Sequence, residues 1–327
     1  IYRSDRADPT TAQPLTSWQT VTAWVDQQVV PGEIYYYWVQ VATGSAGENA
    51  SGFGSLNSGY RELVPPSAVQ VTTGRLGEIE VAWEPTEGAG FFRIYRGNSA
   101  RPSAARALSE WQTSTRFIDR TATPGATHYY WVKASPKGNG ANASGFGQGT
   151  SGYRALGAPS GLALTGEPAV LRLHWQAVAG ASYYQVLRAE GFDVQRAESL
   201  GKWHRETEFD DRTAVPGVSY NYWVQAAVNR EGERASAASV MRGDYRRIAA
   251  PVLEEVSQGD RDRVALGWDP VAGASHYQIW RSDGPFPGMA QVVGEWQAAS
   301  EFADKNAELG VTYYYWVKAA VNAEGFR

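Results

Sequence analysis

With 327 residues the chain is longer than one ordinary β-sandwich and fits several domains of roughly 100 residues each. A net charge of −4 leaves no basic field for a phosphate backbone, so nucleic acid is excluded as a partner, and the absence of cysteine rules out disulfides and thiolate metal sites. The 13 Trp and 18 Tyr against only 2 Met favour half-buried pleated surfaces, an all-β class, and no apolar run approaches the roughly 20 residues of a membrane-spanning helix.

In chain order, Ile1-Tyr2-Arg3 reads as a strand ending in Arg. Asp26 precedes a turn at Pro31-Gly32, where Pro fixes φ and Gly permits a positive one. A Tyr-rich strand follows, Ile34-Tyr35-Tyr36-Tyr37-Trp38, and its two-residue period turns Tyr35, Tyr37, Val39 and Val41 inward and Tyr36, Trp38 and Gln40 outward. A Gly-rich hairpin and a short strand close this unit at Tyr60-Arg61, and the Pro-containing linker Glu62–Pro66 restricts hinge motion. Beyond it, Ile79, Val81 and Trp83 alternate with polar residues, as a strand with one buried face does, and Phe92 and Ile94 begin a second strand that ends in Arg96.

The rest of the chain repeats these elements. The Tyr-rich segments ending at Trp38, Trp131, Trp223 and Trp316 place their tryptophans 93, 92 and 93 residues apart. The same period links Trp18, Trp111, Trp203 and Trp296. It also links Asp26, Asp119, Asp211 and Asp304, and Arg3, Arg96, Arg188 and Arg281. The turn recurs at Pro124-Gly125 and Pro216-Gly217, with Leu309-Gly310 in the last unit, and the closing strands recur at Tyr153-Arg154 and Tyr245-Arg246. A period near 93 is too long for a solenoid repeat and suits an autonomous domain.

A Trp on the alternating strand followed by Pro-Gly-x-x-Tyr-x-Tyr-x-Val-x-Ala resembles the fibronectin type III family, over essentially the whole chain. The variant with Ser-Gly-Phe-Gly and Gly-Tyr-Arg is similar to modules of secreted and surface proteins of bacteria. The resemblance implies tandem immunoglobulin-like (fibronectin type III) β-sandwiches arranged as a rod. Residues 1–62 would be a partial module lacking its first strands, 63–155 and 156–248 complete modules, and 249–327 a partial module lacking its last strand. Such end modules read as a window on a longer protein, or as sandwiches completed by a neighbouring subunit. The resemblance also implies a tyrosine corner at Tyr35, Tyr220 and Tyr313, each hydroxyl bonding backbone near the preceding turn, with His128 in that place in the second module.

Outward-facing aromatics on the Tyr-rich strand and its neighbour form the candidate interaction surface: Tyr36, Trp38, Tyr95, Tyr129, Trp131, Trp223, Trp280, Tyr314 and Trp316. It reads either as a face for sugar stacking or protein contact, or as rings covered by Phe53, Phe146 or nearby Arg and Lys stems. Arg242-Gly243-Asp244 spells an integrin-binding tripeptide but aligns with the end of the last strand, and Asn49 and Asn142 fit the glycosylation pattern at matching turn positions. The periodic aspartates read as caps of turn amides. His128, His174, His204 and His276 share no carboxylate or nucleophile spacing, so no catalytic site, metal or cofactor is expected. The function expected is that of a secreted or cell-surface structural repeat, a semi-rigid spacer or filament-forming component that associates with itself or with other surface proteins. Adhesin activity toward glycans or proteins, and accessory modules of a secreted polysaccharide-degrading enzyme, are the alternatives.

Overall fold

The computed structural model describes residues 1–326; Arg327, the end of the last expected module, lies outside them. It divides into two compact units, Ile1–Ala155 and Leu156–Arg327.

In the first unit, β1 (Tyr2–Ser4), β2 (Gln13–Pro14), β3 (Tyr35–Trp38) and β4 (Asn57–Gly59) form one antiparallel sheet in the order β2-β1-β3-β4. The strands that follow are β5 (Gln70–Val71), β6 (Ile79–Ala82), β7 (Phe91–Gly97), β8 (Arg106–Ala107), β9 (Arg116–Asp119), β10 (His128–Ser135) and β11 (Thr150–Gly152). They make two sheets, β5-β6-β9 and β8-β7-β10-β11. Each sheet is apolar on one face, and the two faces close on each other. Ile79, Val81 and Trp83 pack with Phe92, Ile94, Tyr130, Val132 and Ala134 in a single core.

In the second unit, β12 (Ala163–Gly166), β13 (Leu171–His174), β14 (Tyr183–Ala189), β15 (Glu198–His204), β16 (Glu208–Asp211), β17 (Ser219–Ala227) and β18 (Arg242–Tyr245) repeat that topology as β12-β13-β16 and β15-β14-β17-β18. Then β19 (Leu253–Val256), β20 (Val264–Trp268), β21 (His276–Ser282), β22 (Gln291–Val292), β23 (Glu301–Asp304) and β24 (Tyr314–Ala320) give the sheets β19-β20-β23 and β22-β21-β24. First, second and fifth strands against the rest is the fibronectin type III-like sandwich, so the class is tandem β-sandwiches of that type.

Residues 1–62 carry only the second of the two sheets. Their segment Ala23–Asp26, which aligns with β9, forms no strand. The ladder partner of β9 is β6, and among the described residues this repeat has no counterpart of β6.

The periodic residues are fold devices. Trp18, Trp111, Trp203 and Trp296 lie on Gly47, Gly140, Gly232 and Gly325, in the turn after the Tyr-rich strand. A Cβ on Gly140 would come within 2.4 Å of the Trp111 indole, and its φ of +79° also suits Gly, so this turn needs glycine for both space and backbone. In the Pro-Gly turns, the N–H of Gly32, Gly125 and Gly217 donates to the carbonyl of Arg61, Arg154 and Arg246, tying the turn to the end of the closing strand.

Consecutive repeats within a unit meet through these turns. In the first unit Leu63 is buried in the core of the following sandwich, and Asn142 Nδ2 donates to the Gly32 carbonyl at 2.9 Å. A Cβ on Gly88 would stand 2.3 Å from the Pro31 carbonyl oxygen. In the second unit a Cβ on Gly273 would stand at the same 2.3 Å from the Pro216 carbonyl oxygen, and one on Gly217 would meet the Val321 side chain.

Candidate interaction surface

The Tyr-rich strand carries chemistry on both faces. On its inner face, Tyr37, Tyr130, Tyr222 and Tyr315 donate their hydroxyls to Oδ2 of Asp26, Asp119, Asp211 and Asp304 at 3.1, 2.8, 2.9 and 3.0 Å. The same oxygen receives Arg3, Arg96, Arg188 or Arg281 at 2.7, 2.6, 2.8 and 2.7 Å. Oδ1 accepts the backbone N–H two residues on, from Gln28, Thr121, Thr213 and Asn306. The aspartates therefore cap the turn as their position implies, and also anchor an Arg–Asp–Tyr cluster in every repeat. Burial by itself would raise Asp119, yet hydrogen bonds from Thr121, Tyr130 and Arg96 outweigh it and hold the carboxyl below its usual range; Asp211 and Asp26 are lowered by the same balance. Burial and the aspartate push Tyr37 up to about 12, and Tyr130 and Tyr222 higher still. Each carboxylate is fully engaged, so the cluster fixes structure and offers no free base.

The tyrosine-corner expectation holds for Tyr35, whose hydroxyl accepts the Val30 N–H at 3.4 Å. At Tyr220 and Tyr313 the recurring interaction is a guanidinium over the ring, Arg188 and Arg281 at 4.6 and 4.4 Å, as Arg3 lies 4.6 Å over Tyr35. The hydroxyl bond common to all repeats belongs to the tyrosine two positions on. At His128, Nδ1 meets Asn98 Oδ1 at 3.1 Å; burial and the Arg96 charge lower its pKa.

On the outer face three of the tryptophans are covered, the second of the two readings above. Trp38, Trp131 and Trp223 are 3%, 1% and 5% exposed. The segment after the strand folds back over the sheet: Phe53 lies 6.2 Å from Trp38 and 4.9 Å from Tyr2, and Phe146 lies 6.4 Å from Trp131 and 5.0 Å from Tyr95. Lys133 Nζ caps Phe146 at 4.2 Å, and Gly149 leaves room for the Trp131 indole. Trp223 is covered without a phenylalanine, beside its cross-strand neighbour Leu187. These indoles present no face to a ligand.

Tyr36, Tyr95, Tyr129, Trp280 and Trp316 are half-buried, and Tyr314 is exposed. In the last repeat Trp280 and Trp316 are cross-strand partners, with Lys318 Nζ 3.6 Å over the Trp280 ring.

The tripeptide Arg242-Gly243-Asp244 is part of β18 and pairs with Tyr222, Asn221 and Tyr220, so it is held in a ladder instead of displayed on a loop. Asn49 and Asn142 both have positive φ, 54° and 55°, as turn residues. Of the histidines the structure brings two together, which their spacing did not suggest. His174 and His204 line an open cleft of about 670 Å³ with Lys202, Glu206 and Glu208. Among the described residues no group of three or more His, Asp or Glu could hold a metal ion, and no helix is long and apolar enough to cross a membrane.

No protein-family model matches the chain. Among solved structures, it is similar to a segment of two fibronectin type III domains from chicken tenascin, at 17% identity over 56% of this chain and 99% of that one, with a TM-score of 0.43. It is also similar to the FN1–FN3 domains of chicken CNTN1, at 18% identity over 81% and 95%, with a TM-score of 0.31. The strand order within the second, third and fourth repeats carries the fold class.

Proposed function

We propose that the chain is an extracellular structural repeat protein that acts as a semi-rigid spacer on a cell surface or in a secreted assembly. The observation that carries this reading is the repeated joint: in each unit a glycine of one repeat meets the Pro-Gly turn carbonyl of the repeat before it, at a separation no other side chain tolerates. Fibronectin type III-like tandem arrays are typical of extracellular and surface proteins, and repeats of 92 or 93 residues joined by short Pro-containing linkers suit reach more than chemistry. Small-angle scattering of the purified chain is expected to give an extended particle whose maximum dimension is insensitive to salt. A flexible-chain profile would remove the spacer reading. Light scattering over a concentration series separates spacer from filament, since a heterologous contact that does not close generates fibres.

A further inference from the structure

The turn after β10 needs glycine at residue 140, because a Cβ there would stand 2.4 Å from Trp111 Nε1 and φ is +79°. The other repeats keep that glycine as Gly47, Gly232 and Gly325, and carry Ala46, Glu231 and Glu324 before it. The second repeat carries Asn139 there, which gives the chain its one Asn-Gly pair. Asn-Gly is the dipeptide most prone to lose its side-chain amide, since no Cβ shields the backbone nitrogen that attacks it.

Asn139 is exposed to water, as that reaction requires, but the closed turn withholds it. Asn139 Oδ1 accepts the Ala141 N–H at 3.0 Å, and the Gly140 N–H donates to the Lys137 carbonyl at 3.0 Å. Buried Ser135 fixes both ends of the turn, its Oγ lying 2.8 Å from the Lys137 carbonyl oxygen and 3.0 Å from that of Ala141. The attacking nitrogen and the amide under attack are each held by another partner, so the turn opens before they meet. Three residues on, Asn142 Nδ2 donates to the Gly32 carbonyl at 2.9 Å, which joins the second repeat to the Pro-Gly turn of the first.

We propose that Asn139 is a deamidation site gated by the Trp111–Gly140 contact, and that its isoaspartyl product loosens the joint between the first and second repeats. With the turn open, the Gly140 nitrogen gives its proton to hydroxide and bonds to Asn139 Cγ. The Cγ–Nδ2 bond breaks, and Nδ2 takes a proton from water and leaves as ammonia. Water then opens the succinimide at either carbonyl. Opening at the main-chain carbonyl of residue 139 routes the backbone through the side chain as isoaspartate, one methylene longer. The turn has no slack for that methylene, with Gly140 against Trp111 and Asn142 tied to Gly32. The inference stands apart from the spacer reading, since the reaction is read at one residue.

The test ages the whole chain beside a synthetic peptide of residues 133–145 at mildly alkaline pH. Peptide mapping follows conversion at residue 139, and electron-transfer fragmentation separates isoaspartate from aspartate. Conversion in the chain is expected to run about tenfold slower than in the peptide, and Trp111→Ala should bring it to the peptide rate. Urea below the unfolding transition should speed conversion in the parent chain, a check independent of how the variant folds. The isoaspartyl chain, isolated by its charge and carrying spin labels on introduced cysteines in the first and second repeats, should give a broader distance distribution than the parent. Asn139→Glu, which supplies the charge of Glu231 and Glu324 without the extra backbone atom, should not. No conversion at residue 139 in the folded chain, conversion at the peptide rate with Trp111 in place, or an unchanged distribution in the isoaspartyl form would each overturn the proposal.

Discussion

The Tyr130 hydroxyl lies 2.8 Å from Asp119 Oδ2, eleven residues back along the chain, and that oxygen also holds the Arg96 guanidinium at 2.6 Å. The bond crosses the sandwich, tying β10 of one sheet to the end of β9 in the other. Because the carboxylate is buried and satisfied from both sides, removing it strands a cation, a hydroxyl and two turn amides at once. Asp119→Ala is expected to destabilise its sandwich by roughly 3 kcal/mol, and Tyr130→Phe, which leaves the ion pair, by about 1 to 2 kcal/mol. Urea denaturation of the two variants beside the parent chain checks both values and their order.

His128 makes the second sandwich acid-sensitive. Its folded pKa is lowered from 6.5 by burial and the Arg96 charge, so above pH 6.5 it is neutral in both states and contributes no pH dependence. As pH falls below that value the unfolded chain takes up the proton first, and stability is lost by up to about 1.4 kcal/mol per pH unit until the folded pKa is reached. His128→Tyr restores the residue that the other repeats carry under Arg3, Arg188 and Arg281, and should remove this slope. His204 is lowered too, in the other unit, so the comparison is made between parent and variant over pH 5 to 7.

Trp131 is buried under Phe146, so its removal is a packing change. Trp131→Ala should lower the stability of its sandwich by roughly 3 to 5 kcal/mol, through the cavity left under Phe146, and not act as a surface change. Tyr314→Ser, at an exposed position, should stay within about 0.5 kcal/mol of the parent. Thermal and urea midpoints of the two variants test the contrast.

Gly273→Ala is expected to disturb the joint more than the sandwiches it connects. The added methyl would meet the Pro216 carbonyl oxygen at 2.3 Å, and φ is +83°, which adds about 1 kcal/mol of backbone strain. The chain has no cysteine, so spin labels can be placed at two introduced cysteines flanking the joint. Their distance distribution should broaden in the variant while the unfolding midpoint moves by no more than the strain.

Alternation along the chain was enough to identify Ile79, Val81 and Trp83 as lying on a buried face and to turn Tyr37 inward, as its counterpart Tyr130 is, because side-chain direction in a strand follows from its two-residue period. The spacing of Arg, Asp, Trp and Tyr-rich segments likewise determined the repeat, since each marker serves a local device built the same way every time. Period-two logic also turned Trp38 and Trp131 out of the sandwich. It left open whether Phe53 and Phe146, fifteen residues further on, return to cover them, because that cover depends on the path of a loop and not on the strand. The tertiary structure alone decided that the Asp119 carboxylate meets Tyr130 and Arg96 in one place. Sequence period assigns a residue its side of a sheet; what stands opposite it is determined by which strands the fold brings there.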